Sequence, residues 1–456
     1  MTVATSEEVV TIISQKSTKI MTLEKLINAR KDAIVFTEEQ KQALIKINKF
    51  LNSTDNFFLL SGYSGCGKTT IAQNIANATD AILLAPTNAA KNRIKEKVDN
   101  AYLTAKTLHS FYSIEVDVKS AGNSGDNAYK IKDQVLIIDE CSMIEEFILD
   151  LIVKHALKRN CKVIFLGDSF QLEPVGKNPK IFEWEKLDYD EFKLENRYNL
   201  SEVKRYDGTL LNIATQLRNN LKPEIKYTSN PEFKIVPRFS KQLAKDIKEN
   251  NNFVVLTSTN RKRVAYNYKI RAYRYLDNAI SGHARRQDKL VSIANTHMYS
   301  NGETFTIQNP VLMETFQLEI YEKEKVYDCF YYKDNGVSII LVPDLQEAGL
   351  STFQIEKSEL NGLITGLSDK AKKEFFNYKK DKNYNPKVYF NKNVCIATYG
   401  YAISCHKAQG QEWDNVYIDA EWLMPEWDPA KWFYTAITRA KNNVELTINK
   451  YFKWHI

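Results

Sequence analysis

The stretch GYSGCGKT at residues 62–69 constrains this chain more than any other, because it has the spacing G-x-x-x-x-G-K-[ST] of a phosphate-binding P-loop. The apolar run at 56–61 predicts a buried strand before it, and residues 69–76 predict a helix after it. Strand, glycine turn and helix N-terminus direct backbone N–H groups to one point, where the helix dipole favours an anion. Since all three are in register, we favour a P-loop over a chance glycine-rich turn.

The residue types in and before this loop suit a nucleotide with a metal ion. Lys68 can reach the β- and γ-phosphates, and the Thr69 hydroxyl can ligate Mg²⁺, so ATP and Mg²⁺ are the expected cofactors. Upstream, Thr37 predicts a helix N-cap with Gln40 as its capping-box partner. The Gln40 amide can also read the adenine edge, although a helix start alone explains it. The predicted nucleotide-binding residues here are Gln40, Gly62, Ser64, Gly65, Cys66, Gly67, Lys68, Thr69 and Thr70.

A second apolar run, at 134–138, ends in the carboxylates Asp139 and Glu140. A carboxylate at the end of such a strand can hold Mg²⁺ together with Thr69, and its neighbour can polarise the attacking water. The alternative is an exposed acidic turn after a core strand. Further strands at 81–88 and from residue 162 alternate with helices, which predicts a doubly wound parallel sheet with its site at the strand carboxyl ends.

Composition excludes several classes of protein. At 456 residues we expect two to four domains, and 43% apolar with 26% charged residues is typical of a soluble globular chain. No apolar run reaches membrane-spanning length, and Glu7 and Glu8 argue against a signal peptide. The six cysteines form no C-x-x-C pair, which favours the cytoplasm, that of a host cell if the protein is phage-encoded. The net charge of +7 weakly favours an anionic partner such as nucleic acid.

Nine segments resemble, in one order, the motifs of superfamily 1 DNA helicases. They cover residues 36–40, 62–69, 85–91, 107–110, 139–143, 167–171, 200–205, 404–410 and 434–441. Within the superfamily the pattern is most similar to branch 1B, the RecD-like branch that includes the bacteriophage Dda-like helicases. The resemblance runs from about residue 36 to the C-terminus. It departs at Ser404, where the family usually has threonine, and it has no counterpart before residue 32.

The resemblance implies an α/β fold of two RecA-like P-loop domains with parallel sheets and the nucleotide between them. The expected division is an N-terminal extension (1–31), a first RecA-like domain (32–192), a second RecA-like domain (193–285 and 394–456), and an inserted SH3-like barrel with a helical arm (286–393). Alternating residues around a Gly/Asn/Asp-rich turn predict a β-hairpin at 111–132.

Several strands and one helix are expected outside the first domain. Residues 253–257, 394–398, 416–419 and 444–448 read as strands of the second RecA-like sheet. The antiparallel pattern at 301–307 and 337–342 favours a small barrel, and only the resemblance makes it SH3-like. The lysine-rich stretch 370–380 is expected to be a helix, either with a solvated face or as a basic arm over DNA.

The resemblance also implies site residues from both domains. The expected catalytic residues are Lys68, Asp139, Glu140, Gln171, Arg205 and Arg439, with Gly410 added to the nucleotide site. Gln171 would sense the γ-phosphate, and the two arginines would neutralise it from the second domain. The expected DNA-binding residues are Pro86, Thr87, Asn88, Thr107, His109, Asn260, Ser404, His406 and Lys407. Either histidine could instead be a satisfied core residue.

Three functions compete at this stage. The favoured one is an ATP-dependent DNA helicase that translocates on single-stranded DNA, 5′→3′ by branch likeness alone, and unwinds duplex. The second is a translocase that displaces bound proteins with little unwinding, and the third is an unrelated P-loop ATPase. A helicase would act at duplex junctions in DNA replication or recombination. It is expected to be a monomer and to meet replication or single-strand-binding proteins. The hairpin 111–132 would separate the strands, or else decorate the surface.

Overall fold

We describe the protein from a computed structural model of its 456 residues. The structure describes residues 21–28, 35–87, 90–91, 105–112, 128, 130–172, 181–187, 189–203, 208–219, 230, 232–236, 239–276, 282–293, 296, 298–299, 302–320, 325–343, 394–420 and 428–447. Four expectations therefore fall outside the described residues: the extension before residue 21, most of the hairpin (113–127), the lysine-rich helix (370–380), and the positions of Asn88 and Arg205.

Strands and helices alternate through most of the described chain. The strands are β1 Phe57–Gly62, β2 Ile82–Ala85, β3 Ala105–Thr107, β4 Val135–Ile138, β5 Lys162–Gly167, β6 Arg197–Leu200, β7 Phe233–Val236, β8 Phe253–Thr257, β9 Lys289–Ser292, β10 Thr304–Thr306, β11 Val311–Ile320, β12 Lys325–Asp334, β13 Val337–Leu341, β14 Val394–Tyr399, β15 Ala402–Ser404, β16 Trp413–Asp419 and β17 Ala440–Thr447. The helices are α1 Leu23–Ile27, α2 Glu38–Leu51, α3 Lys68–Thr79, α4 Leu108–Phe111, α5 Glu146–Arg159, α6 Gly208–Arg218, α7 Lys241–Glu249, α8 Asn260–Tyr275 and α9 Pro429–Ile437.

The first sheet is fully parallel, with the strand order β3-β2-β4-β5-β1-β6. It contains the four apolar strands that the sequence predicts. It also includes β6, which pairs with β1 from Leu59–Arg197 to Gly62–Leu200. The first sheet therefore extends past residue 192, where we expected the first domain to end.

Both faces of this sheet are buried, as continuous apolar strands require. Phe57 and Leu59 pack on one face with α5, whereas Phe58 and Leu60 pack on the other face with α2 and α3. Helix α1 adds Leu26 to the second of these cores. Because helices cover both faces, a ligand is expected at the edge where the parallel strands end.

The second sheet is also fully parallel, with the order β15-β8-β16-β17-β7. Its core contains α6 and α9 on one side, and residues of α7 and α8 on the other. The sequence correctly predicts β8, β16 and β17 in this sheet. The fold thus has two parallel α/β layers, each with polar residues at its strand ends.

The third sheet is mixed and has the order β10-β9-β14-β13-β12-β11. We expected residues 394–398 to form a strand of the second sheet, and this is wrong. Strand β14 pairs parallel with β13 and antiparallel with β9. The physical reason is that β14 is buried at every position, and such an apolar run carries no information on which sheet it joins.

Among the described helices, none is long and apolar enough to cross a bilayer.

Candidate nucleotide and nucleic-acid site

The P-loop connects β1 to α3 through two glycines with left-handed backbone. Gly65 has φ 83° and Gly67 has φ 88°, and a Cβ atom on Gly67 would lie 2.5 Å from Nε2 of Gln40. Glycine is therefore required at position 67 both for its conformation and for its space. The amine of Lys68 folds over the loop, where Nζ donates to the carbonyl oxygens of Gly62 and Tyr63, each at 2.8 Å.

Gln40 lies directly against this loop. It forms the predicted capping box with Thr37, and its Nε2 donates to the carbonyl oxygen of Cys66 at 3.0 Å. The side chain is buried, and it holds the P-loop to the start of α2. These bonds give Gln40 a structural role in holding the loop. That Gln40 also reads the adenine base stays a prediction.

The two predicted metal ligands lie next to each other. Thr69 is the second residue of α3, and its Oγ1 donates to Oδ2 of Asp139 at 3.3 Å. Asp139 and Glu140 follow β4 and are buried, and Glu140 has a left-handed φ of 54°. A hydroxyl and a carboxylate are the hard oxygen ligands that Mg²⁺ prefers, so these residues fit that ion. The metal itself stays a prediction.

Arg439 reaches the P-loop from the second parallel layer. It follows α9, and its guanidinium is almost wholly buried, at 1% exposure. Nε donates to the carbonyl oxygen of Thr435 at 3.0 Å, and Nη2 lies 3.5 Å from Oγ of Ser64. Residues 375 positions apart in the chain thus meet at one cleft. The action of Arg439 on a nucleotide stays a prediction.

Sequence reasoning missed two residues of the same cleft. The Tyr434 hydroxyl accepts a hydrogen bond from the backbone N–H of Ser64 at 3.0 Å and donates to Oδ2 of Asp168 at 2.6 Å. Arg218, the last residue of α6, forms an ion pair with Asp168, and its guanidinium lies 4.1 Å from the ring centroid of Tyr63. Tyr434 stands in a recognised motif and could have been found there. Arg218 carries no signal in the sequence.

The electrostatics of this cluster are set by burial. The side chain of Asp168 has 0% exposure and that of Arg218 10%. Burial by itself lowers the pKa of Arg218, but the attraction of the Asp168 carboxylate outweighs it and the pKa is raised. Arg218 therefore stays charged, and the Asp168 carboxyl group beside it compensates for the burial of that charge.

Gln171 lies in the segment that follows β5, at 4% exposure. Its Oε1 has no hydrogen-bond partner among the described residues. The segment is bonded to the second layer just after it, where Leu172 N donates to Oγ1 of Thr435 at 3.0 Å. Gln171 thus lies one residue before a contact with the second layer, and its role at the γ-phosphate stays a prediction.

The first-layer residues predicted to bind DNA follow β2 and β3. Pro86 and Thr87 come directly after β2, and the Thr87 Oγ1 accepts from the N–H of Ala90 at 3.2 Å. Thr107 ends β3 and caps α4 by accepting from the N–H of Ser110 at 3.2 Å. His109 follows in α4, and burial lowers its pKa. Since β2 and β3 pair in parallel, these residues lie at one edge of the sheet.

The second-layer residues follow β8 and β15, which are adjacent and parallel. Asn260 is the first residue of α8 and its Oδ1 accepts from Nε of Arg263 at 3.3 Å. Ser404 ends β15, and His406 and Lys407 lie in the short helical turn after it. Arg263 was not predicted, and it is buried beside this group.

Lys407 has an unusual charge state at this edge. Burial, together with the nearby charge of Arg263, lowers its pKa to about 7. Burial also lowers the pKa of His406. The environment is therefore one that disfavours positive charge until an anion arrives.

Gly410 lies between the two layers, although not on the P-loop itself. Its backbone has φ 74°, and a Cβ atom there would lie 3.6 Å from the N atom of Ala90. It therefore adjoins the segment after β2, where DNA-binding residues are expected. The assignment of Gly410 to the nucleotide site stays a prediction.

Two family models match the chain in the order that this geometry requires. Residues 35–229 match an AAA domain, and residues 399–447 match a UvrD-like helicase C-terminal domain. These matches contain the P-loop and Asp139 in the first case and Arg439 in the second. Together they cover the first parallel layer and the C-terminal part of the second.

Similar proteins agree with these matches. The ATP-dependent DNA helicase dda of Enterobacteria phage T4 is 31% identical over 195 residues, which is 40% of this chain and 42% of the relative. The RecBCD enzyme subunit RecD of Buchnera aphidicola subsp. Schizaphis graminum is 24% identical over 462 residues, 90% of this chain and 73% of the relative. The chain spans less than half of the length of the phage relative.

One solved structure, of Pif1 helicases at forked double-stranded DNA, aligns with 92% of this chain and 93% of its own. The TM-score is 0.51 and the identity 17%, so the likeness concerns the fold alone. The ordered motifs, the two family models and the two helicase relatives point the same way, and the chain is similar to the superfamily 1B helicases of the Dda and RecD type, with a fold like that of Pif1.

Proposed function

We propose that the protein is an ATP-dependent DNA helicase that moves along single-stranded DNA, in the 5′→3′ direction, and unwinds duplex DNA. The observation that carries this proposal is the contact between Arg439 and Ser64, because it joins the P-loop of one layer to a cation of the other. A nucleotide held there would touch both layers, so its hydrolysis would change how they bind each other.

The chain's own residues have separate tasks in this reaction. The P-loop N–H groups and Lys68 hold the phosphates, and Thr69 with Asp139 would hold Mg²⁺. The metal ion would supply positive charge there, which offsets the negative charge that develops on the phosphates. Glu140 would polarise the attacking water, and Arg439 would stabilise negative charge on the γ-phosphate. Gln171 would report the presence of that phosphate to the strand-end residues.

Single-stranded DNA would lie across the strand ends of both layers. Thr87, Thr107, Asn260 and Ser404 offer hydroxyl and amide groups, and Lys407 offers a cation, which are typical contacts to phosphates rather than to bases. The solved Pif1 relative is described at forked double-stranded DNA, and we extend that substrate to this chain. Cleft opening and closing would change the distance between the two sets of contacts and so move the strand.

The alternative of a protein-stripping translocase shares every part of this site, and only an unwinding assay separates it from a helicase. We expect the protein to unwind a duplex with a 5′ single-stranded tail in the presence of ATP, and to leave a matched duplex with a 3′ tail paired. Unwinding of the 3′-tailed substrate alone would show that the protein moves in the opposite direction, 3′→5′. DNA-stimulated ATP hydrolysis without strand separation would favour the translocase, and hydrolysis that ignores DNA would favour an unrelated ATPase.

Binding of single-stranded DNA is expected to weaken as the pH rises through 7. Lys407, with a pKa of about 7 in the free protein, is charged below that pH and neutral above it. Because a phosphate contact favours the charged form, binding above pH 7 must take up a proton, and affinity falls by up to about tenfold per pH unit. Fluorescence anisotropy between about pH 6 and pH 9 measures this slope.

Lys407→Arg is the matched control, since arginine keeps its charge over this range. The slope should be smaller in Lys407→Arg by the part that Lys407 contributes. Burial also lowers the pKa of His406, but His406 is present in both proteins, so the difference between the two slopes isolates Lys407. An identical pH slope in wild type and Lys407→Arg would show that Lys407 does not contact phosphate.

A further inference from the structure

The segment from Asp168 to Leu172, which we call the β5 segment, is held at both ends by the second layer. At its start, the Asp168 carboxylate binds Arg218 and Tyr434. At its end, Leu172 N donates to Oγ1 of Thr435 at 3.0 Å, and its carbonyl oxygen accepts from Nε2 of Gln409 at 2.6 Å. The position of this segment therefore depends on how the two layers meet.

Separating the ion pair at the start of the segment would cost much free energy. Asp168 is wholly buried and Arg218 nearly so. A buried carboxylate without its partner is strongly destabilising. Asp168 is therefore expected to stay in contact with Arg218 whenever Arg218 moves. The planar guanidinium also lies over the ring of Tyr63 in the P-loop, at 4.1 Å. Arg218 thus contacts the β5 segment and the P-loop at once.

Tyr434 extends this connection into the helix that precedes Arg439. Its hydroxyl bonds both Asp168 and the Ser64 N–H, so α9 is tied to the P-loop through one oxygen atom. Arg439 in turn donates to the carbonyl oxygen of Thr435 in the same helix. Any shift of Asp168 would therefore move α9 and, with it, the contact between Arg439 and Ser64.

We propose that Arg218 is a positioning residue for ATP hydrolysis: it holds Asp168 and Tyr434 in one cluster and thereby sets Gln171 and Arg439 relative to the P-loop. This inference rests on the proposed hydrolysis of ATP in the interdomain cleft. Arg218 acts through its neighbours, and it is separate from the arginines that the motifs supply.

Arg218→Gln should lower kcat for DNA-stimulated ATP hydrolysis by about 10²-fold, the loss expected when reacting groups move by about 1 Å. The KM for ATP and the affinity for ADP should change little, because the phosphate-binding loop is intact. Arg218→Lys should recover part of kcat, since lysine supplies the charge but not the planar fork. Unchanged kcat in Arg218→Gln would overturn the proposal.

Arg197→Gln is the matched control for this substitution. Arg197 also forms an ion pair, with Glu185 at 3.3 Å, but it lies on β6 and is partly exposed. Its loss should leave kcat at the wild-type value. An equal loss of kcat in both variants would show a general effect of removing arginine, and would overturn the assignment to Arg218.

A double-mutant cycle with Asp168→Asn tests whether Arg218 acts through Asp168. If it does, the double variant should be no slower than the slower single variant. If the losses of kcat in the two single variants multiply in the double variant, Arg218 acts independently of Asp168, which would contradict the proposal. Should Arg218→Gln be too unstable to assay, the double variant removes both charges together and keeps the test available.

The same cycle is measured on thermal unfolding, which does not depend on hydrolysis. The double variant should unfold at no lower temperature than Arg218→Gln, because it buries no lone carboxylate. A further drop in the double variant would show that the pair is not coupled. Wild-type protein without DNA-stimulated hydrolysis would contradict the proposed function, whereas normal wild-type turnover with unaffected Arg218→Gln would contradict only the positioning role.

Discussion

Lys68→Ala is expected to abolish measurable ATP hydrolysis and all unwinding while the protein stays folded. The substitution removes the one amine that folds over the P-loop carbonyl oxygens, and removing a preorganised donor of this kind costs at least about 10²–10³-fold in turnover. The side chain is only partly buried and lies outside the apolar core beside the loop, so the unfolding temperature should change little. DNA-stimulated phosphate release and circular dichroism measure the two effects.

Lys162 offers a matched control within the same layer. It too donates from Nζ to backbone carbonyl oxygens, those of Phe50, Ser53 and Asp55, but at the opposite end of β5. Lys162→Ala should lower stability and preserve turnover per folded molecule. Hydrolysis near the wild-type rate in Lys68→Ala would remove the basis for a nucleotide site at this loop.

Arg439→Ala is expected to reduce turnover by about 10³–10⁵-fold, the contribution typical of an arginine finger, even with saturating DNA. Nucleotide affinity should fall only modestly, because the P-loop residues of the other layer remain. The reason lies in the contact with Ser64, which places the guanidinium beside the loop from across the cleft. Nucleotide titration and steady-state turnover, measured on the same preparation, separate binding from chemistry.

The control for Arg439 is another arginine of the second layer. Arg274 lies in α8, where Nη1 donates to the carbonyl oxygen of Ile247 at 2.8 Å, away from the P-loop. Arg274→Ala should retain turnover. Near-normal turnover in Arg439→Ala would show an ordinary structural arginine and would contradict a cleft that ATP closes and hydrolysis reopens. Arg205→Ala tests the second predicted arginine in the same assay, with the same expected loss.

Local sequence determined those features of the protein that depend on residues close together in the chain. The P-loop is a strand, a glycine turn and a helix start in direct succession, and Thr37 with Gln40 forms its capping box as predicted. The apolar runs at 57–60 and 135–138 are strands because they are buried on both faces. Such features depend on backbone conformation, glycine and short-range apolar patterning, all of which a sequence carries directly.

Only the tertiary structure decided which distant residues share the cleft. Strand β14 joined the third sheet because an apolar run can pair with any open edge, and its partner is settled by the packing of the whole domain. Arg218 came to Asp168, 50 residues away in sequence, and Tyr434 came to Ser64, 370 residues away, because two separately folded layers dock at that point. A polar residue at the end of an amphipathic helix reads as solvent-exposed in sequence. Its burial against a charge of the other layer is a property of the docked surfaces alone.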